Sequence, residues 1–168
     1  MQPTRRHLLV AALGAGGAAL AGCGFELRRA PELRFRTIAL SGFAARSPLA
    51  EELRDNINAS KTTQVVESLA QAQVVLEAIS DARERVVVAS TAAGQVRELQ
   101  LRARFNFRLR AAAGRELIPA TELLLGRDMS YSESVALAKE QEEALLFRTM
   151  QTDIVSQVMR RLAAVQTP

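Results

Sequence analysis

Tryptophan is absent from the chain, tyrosine, histidine and cysteine occur once each, and aromatics make up only 4% of its 168 residues. One cysteine cannot build an internal disulfide framework. The single histidine, His7, sits near the start, so Ser-His-Asp and Cys-His catalysis have no footing in the body of the chain. Zinc sites built on His and Cys are excluded in the same way. There is no P-loop and no GxGxxG run to cradle a phosphate. The acids are dispersed, and Glu140, Glu142 and Glu143 read as a solvated helix face. An enzyme would have to rest on Asp, Glu, Ser or Lys alone, and their spacing supports none.

What is present begins at the N-terminus. Arg5 and Arg6 precede an apolar run from Leu8 to Leu20, followed by small residues and Cys23, which is the order of a secretory signal peptide. The run is shorter than the roughly 20 apolar residues of a transmembrane helix, and Gly14, Gly16 and Gly17 weaken it as a span. Leu20, Ala21, Gly22 and Cys23 look like the lipobox of bacterial prolipoproteins. Residues 1–22 are therefore expected to be removed and Cys23 to carry acyl chains, which also accounts for an odd, unpaired thiol in an exported protein. Several acyl chains give a durable anchor where one gives only marginal binding. Gly24 follows, where an Asp is the usual inner-membrane retention signal of such lipoproteins, so the resemblance implies the outer membrane. Arg5 and Arg6 also resemble a twin-arginine export signal, which leaves the export route open.

Losing residues 1–22 takes His7 with it and lowers Lys plus Arg from 22 to 20 against 18 acids, or +2 before the termini. Such a balance gives no global case for nucleic-acid binding despite the calculated pI of about 10.2. The remaining 146 residues suit one domain with a real core. No repeat and no low-complexity tract follows the signal.

After a tether over 23–32, the alternation from Leu33 to Leu40 predicts a strand. Ser47 offers an N-cap and Pro48 a first helical position, with Glu51 and Glu52 in the first turn and Leu49, Leu53 and Ile57 recurring every four residues. Val74 to Ile79 reads as a short strand, and Arg85 to Ser90 opens another that turns near Ala92, Ala93 and Gly94. From Glu98 to Arg110, Leu99, Leu101, Ala103, Phe105, Phe107 and Leu109 take one face. The other face is polar and mostly basic. Gly114 marks a turn, Pro119 ends a short return strand, and Thr121 to Tyr131 reads as the last strand, with Leu123 and Leu125 inward. From about Val135, Phe147, Met150, Ile154, Val158, Leu162 and Val165 follow a helical period. The expectation is one α+β domain over 33–168, two helices packed on one face of an approximately four-stranded, mostly antiparallel sheet.

Two segments stand out within this order of elements: Cys23-Gly24-Phe25-Glu26-Leu27-Arg28, and the run Ala136-Leu137-Ala138-Lys139-Glu140 leading into a helix with Leu146, Met150, Asp153, Ile154, Gln157, Arg161 and Leu162. In these residues the chain resembles the LptE family of lipopolysaccharide-assembly lipoproteins. The resemblance also takes in the helix after Pro48, the turn at Gly94 and the long alternating strand, so it spans nearly all of the expected mature chain. It implies no catalytic residue and no cofactor. It implies instead a lipoprotein that sits inside the large β-barrel LptD, assists its folding, plugs it and contacts lipopolysaccharide. Lipid A phosphates are met by Arg and Lys through charge-assisted hydrogen bonds.

Lys139 stands where the family carries a basic residue implicated in lipopolysaccharide contact. The turn Ser90 to Gln95, where relatives can offer another basic group, has none, and Arg97, Arg102 and Arg104 are the candidates to replace it. For the stripe Arg102, Arg104, Arg108 and Arg110, two readings stay open: a solvated strand face, or a contact with lipid or barrel. For Lys139 the plain alternative is a helix-surface lysine paired with Glu143 at i,i+4, a contact worth about 0.2–0.5 kcal/mol. The alternative from another class is a chaperone-like outer-membrane lipoprotein, such as a secretin pilotin or a transporter accessory, that needs no lipopolysaccharide.

Overall fold

The structure, a computed structural model, describes residues 32–166. The expected signal peptide, Cys23 and the tether up to Pro31 lie outside the described residues. Within them the order is β1 (Thr37–Ser41), α1 (Pro48–Ala59), β2 (Gln64–Val65), β3 (Val74–Ser90), β4 (Val96–Ala111), β5 (Glu116–Ser130) and α2 (Ala136–Ala164). The sheet runs β2-β1-β3-β4-β5. Strand β1 is parallel to both its neighbours, and β3, β4 and β5 form an antiparallel meander.

Four points depart from the sequence reading. A fifth strand exists, the two-residue β2, fastened by the Val65 amide donating to Asn58 Oδ1 at 2.9 Å and by main-chain bonds to Arg36 and Ile38. Leu33 and Phe35 precede β1 rather than belonging to it, yet both are buried. The two segments Val74–Ile79 and Arg85–Ser90 are one strand, because the polar stretch between them pairs in register with β4 from Ser80 opposite Asn106 to Glu84 opposite Arg102. Pro119 does not end its strand. It lies at a register shift in β5, an edge strand, where a missing N–H breaks no ladder bond.

The helices form for local reasons. Ser47 Oγ accepts from the Ala50 amide at 3.3 Å, Pro48 occupies the first turn, and Leu49, Leu53 and Ile57 are buried. In α2 the expected Phe147, Met150, Ile154, Val158 and Leu162 are buried, and Val155 and Met159 join them because α2 packs on α1 as well as on the sheet. Both helices share the face of β4 formed by Leu99, Leu101, Ala103, Phe105, Phe107 and Leu109, all buried. Burying each of the larger side chains stabilises the fold by about 1.5–3 kcal/mol. Phe105 stacks on Phe107 at 5.3 Å and on Phe43 at 5.9 Å.

The strands give the domain two ends. At one, here the base, the Gln73 amide donates to Thr37 O at 3.2 Å and the Ala112 amide to Gln73 O at 2.9 Å, so the start of β1 meets the β4–β5 hairpin. At the other, the tip, the Tyr131 amide donates to Arg97 O at 2.8 Å beside the β3–β4 hairpin and the start of α2. The first ten residues of α2 include no buried side chain, and Leu137 and Leu145 are 71% and 59% exposed.

Candidate functional site

The structure divides the basic residues singled out from the sequence into two groups. Lys139 and Arg97 both lie at the tip. Lys139, in the first turn of α2, donates from Nζ to Ser130 Oγ at 3.0 Å and to Glu142 Oε2 at 2.8 Å. Its side chain is only 18% exposed, so it ties the end of β5 to the helix. The expected pairing with Glu143 is corrected to Glu142 at i,i+3. Glu143 turns to Arg85 Nε at 3.0 Å and is only 15% exposed, so it is no solvated-face residue. Arg97 is exposed and its guanidinium makes no ion pair or hydrogen bond among the described residues. It lines a cleft of about 310 Å³ with Gln95, Val96, Ser132, Glu133 and Ser134.

Arg102 and Arg104 lie further down β4 on the outer face of the sheet, and neither is a bare cation. Arg102 Nε donates to Gln100 Oε1 at 2.7 Å. Arg104 bridges Glu122 at 3.2 Å and Glu84 at 3.9 Å. Arg108 donates twice to Glu77, at 3.1 and 2.8 Å, and Arg110 donates to the same carboxylate at 2.7 Å. Those bonds from Arg108 hold the Glu77 carboxyl below the ordinary glutamate range and push the Arg108 guanidinium upward in return. The stripe is thus the central row of an acid–base ladder, with β3 and β5 supplying the acids. Exposed pairs of this kind are each worth about 0–1 kcal/mol, so the ladder sets register more than it stabilises.

Sequence reasoning missed a second polar layer on the helix side. Asp81, Arg83, Arg85 and Arg127 stand opposite buried or half-buried residues of β4. Arg83 donates to Gln151 Oε1 at 2.8 Å and lies 5.6 Å from the Phe147 ring centre, and Arg127 reaches Asp153 at 3.3 Å. Gln151 in turn donates to Pro48 O at 3.3 Å and to Glu52 at 2.6 Å, which links both helices to the sheet. Partial burial pushes the Asp81 carboxyl up, and Arg83 opposes it. The one sequence signal for this layer was the charge at odd positions of 81–85 within an otherwise apolar face.

Among the described residues there is no cluster of three or more potential metal ligands, and no helix is long and apolar enough to cross a membrane. The fold is a one-sided sheet under two helices, with Lys139 and Arg97 at its tip. Residues 35–162 match the model of the LptE family, described as lipopolysaccharide-assembly, and the chain belongs to that family. The family is one of non-enzymatic outer-membrane lipoproteins. Among solved structures, the chain is similar to an uncharacterized lipoprotein B from Nitrosomonas europaea at 30% identity and a TM-score of 0.69, over 84% of this chain and 91% of that one. The fold also matches the rare lipoprotein B of Shewanella oneidensis, at 21% identity, TM-score 0.65 and coverage of 77% and 95%. A minor lipoprotein from Acinetobacter baumannii matches at 19% identity, TM-score 0.63 and coverage of 81% and 96%. No curated protein sequence matches the chain.

Proposed function

We propose that this chain, acylated at Cys23, works in lipopolysaccharide assembly at the outer membrane as the partner of an LptD-type β-barrel, which it helps to fold and plugs from within. Its tip contacts lipopolysaccharide. The observation that carries this reading is the family match over 35–162, and the geometry of the tip refines it. Arg97 presents an unpaired guanidinium beside a cleft, and Lys139 stands across the Ser130–Tyr131 segment with its ammonium held by one carboxylate and one hydroxyl. A phosphate can compete for such a lysine and bind such an arginine through charge-assisted hydrogen bonds. Arg102 and Arg104 are already engaged by protein acceptors, so the replacement for the basic group missing from the Ser90–Gln95 turn is assigned to Arg97.

The test is lipopolysaccharide binding by wild type, Lys139→Glu, Arg97→Glu and Arg104→Glu, with the fold followed by circular dichroism. The reading expects at least about tenfold weaker binding for the first two, the scale of a charge-assisted contact, and little change for the third. Equal binding by all four, or a loss confined to Arg104→Glu, would overturn the assignment.

A further inference from the structure

We propose that the base of the domain is a docking face for anionic phospholipid headgroups of the membrane that holds the acylated Cys23. The proposal rests on that acylation, and it concerns surfaces the tip does not use.

The described chain starts at the base. Leu33 N donates to Thr62 Oγ1 at 3.2 Å just past the end of α1, and the Arg36 amide donates to Gln73 Oε1 at 2.7 Å. Among the described residues five cations collect there: Arg34 and Arg36 before β1, Lys61 after α1, Arg115 in the β4–β5 hairpin, itself already engaged within the chain, and Arg161 in the last turn of α2. Against them stand the carboxylates of Glu32 and Glu116, in a chain whose overall charge is otherwise nearly balanced. Between the hairpin and the end of α2 opens a cleft of about 560 Å³. Arg115 and Arg161 border it, and Leu117, Ile118, Ala164 and Val165 supply apolar lining. Guanidinium groups beside an apolar floor suit a phosphodiester whose glycerol and acyl ends lie next to it.

The tether decides which end can meet the membrane. From Cys23 to Glu32 the chain spans at most about 30 Å when fully extended. From base to tip, Ala111 to Arg97 along β4, the sheet measures roughly 45 Å. A domain held at Glu32 therefore cannot stand tip-down on the leaflet that holds its own anchor, whereas its base lies within reach in every other orientation. Basic residues beside an anionic leaflet each strengthen attachment about fivefold, and salt screens the effect.

The experiment places the acylated full-length protein in nanodiscs of phosphatidylcholine alone, or of phosphatidylcholine with an equal share of phosphatidylglycerol, and follows hydrogen exchange. The expected result is at least about fivefold slower exchange over 111–116 and the last turn of α2 in the anionic discs. This protection should vanish in high salt and in the double variant Arg115→Glu, Arg161→Glu, while 91–95 at the tip exchanges equally in both discs. If the double variant loses protection throughout β4, it has failed to fold, and Arg34→Glu with Arg36→Glu takes its place. Equal exchange at the base in neutral and anionic discs, or protection of the tip instead, overturns the proposal. Intact mass reads the anchor separately. A chain without acyl groups defeats the anchoring reading, and co-sedimentation with vesicles of the same two compositions then decides the docking face. Salt-sensitive binding to anionic vesicles alone supports it, and equal sedimentation with both overturns it.

Discussion

Replacing Gly42 by alanine tests how β1 is seated against the meander. Gly42 follows β1 with φ +78°, and a Cβ built there would lie 2.2 Å from the carbonyl oxygen of Ala78 in β3. The left-handed conformation alone costs a non-glycine residue about 1–2 kcal/mol. The clash is with backbone, so it is relieved only by moving β1 from β3, where Ser41 pairs with Glu77. Weakening one or two ladder bonds adds about 1 kcal/mol each, for a total near 3 kcal/mol. Gly114 is the internal control, because its φ is +89° but nothing lies within 4 Å of its Cβ position. There alanine meets only the conformational cost, about 1 kcal/mol once the stiffer unfolded chain is counted. With a urea dependence of about 2 kcal/mol per molar, the midpoint should fall by about 1.5 M for Gly42→Ala and about 0.5 M for Gly114→Ala. Equal shifts would refute the claim that close approach to Ala78, rather than backbone conformation, makes this glycine necessary.

Leu53→Ala in α1 removes a fully buried side chain and should cost about 2–5 kcal/mol in the same urea titration. Ser47→Ala removes the cap on the Ala50 amide and should cost about 1 kcal/mol. Glu77, whose carboxyl is held below its ordinary value by Arg108, contributes stability that is fully present above that ordinary value and is lost as pH falls through the folded one. Stability measured from neutral pH down into the acid range should therefore decline less steeply in Glu77→Gln than in wild type, and parallel curves would count against the ladder. Lys139→Glu faces Glu142 and loses the tie to Ser130, yet should destabilise by no more than about 1 kcal/mol, because the pair is partly exposed.

Periodicity carried the sequence reading wherever one face met a uniform core. The helix after Ser47 and the alternation of Glu98–Arg110 were legible because Leu53, Ile57, Phe105 and Phe107 point into a common apolar layer. It failed at Ser80–Arg85, where the helix-side positions of β3 are Asp81, Arg83 and Arg85, and the two arginines meet polar groups of α2. Charge at buried-side positions erased the alternation, and one strand looked like two. The basic stripe was legible as residues but not as chemistry. Its neutralisation by Glu77, Glu84 and Glu122 depends on strand register, and these acids lie at least 18 positions from the arginines they meet. Lys139 was singled out from the family motif, while its contacts with Ser130 and Glu142 depend on how α2 follows β5.

The measurement that tests the central claim most directly is a pull-down of the tagged, acylated protein from outer membranes in mild detergent, with co-purifying proteins identified by mass spectrometry. The account predicts a large β-barrel of the LptD type in equal stoichiometry. Recovery of a secretin or a transporter in its place, or of no partner at all, would contradict it.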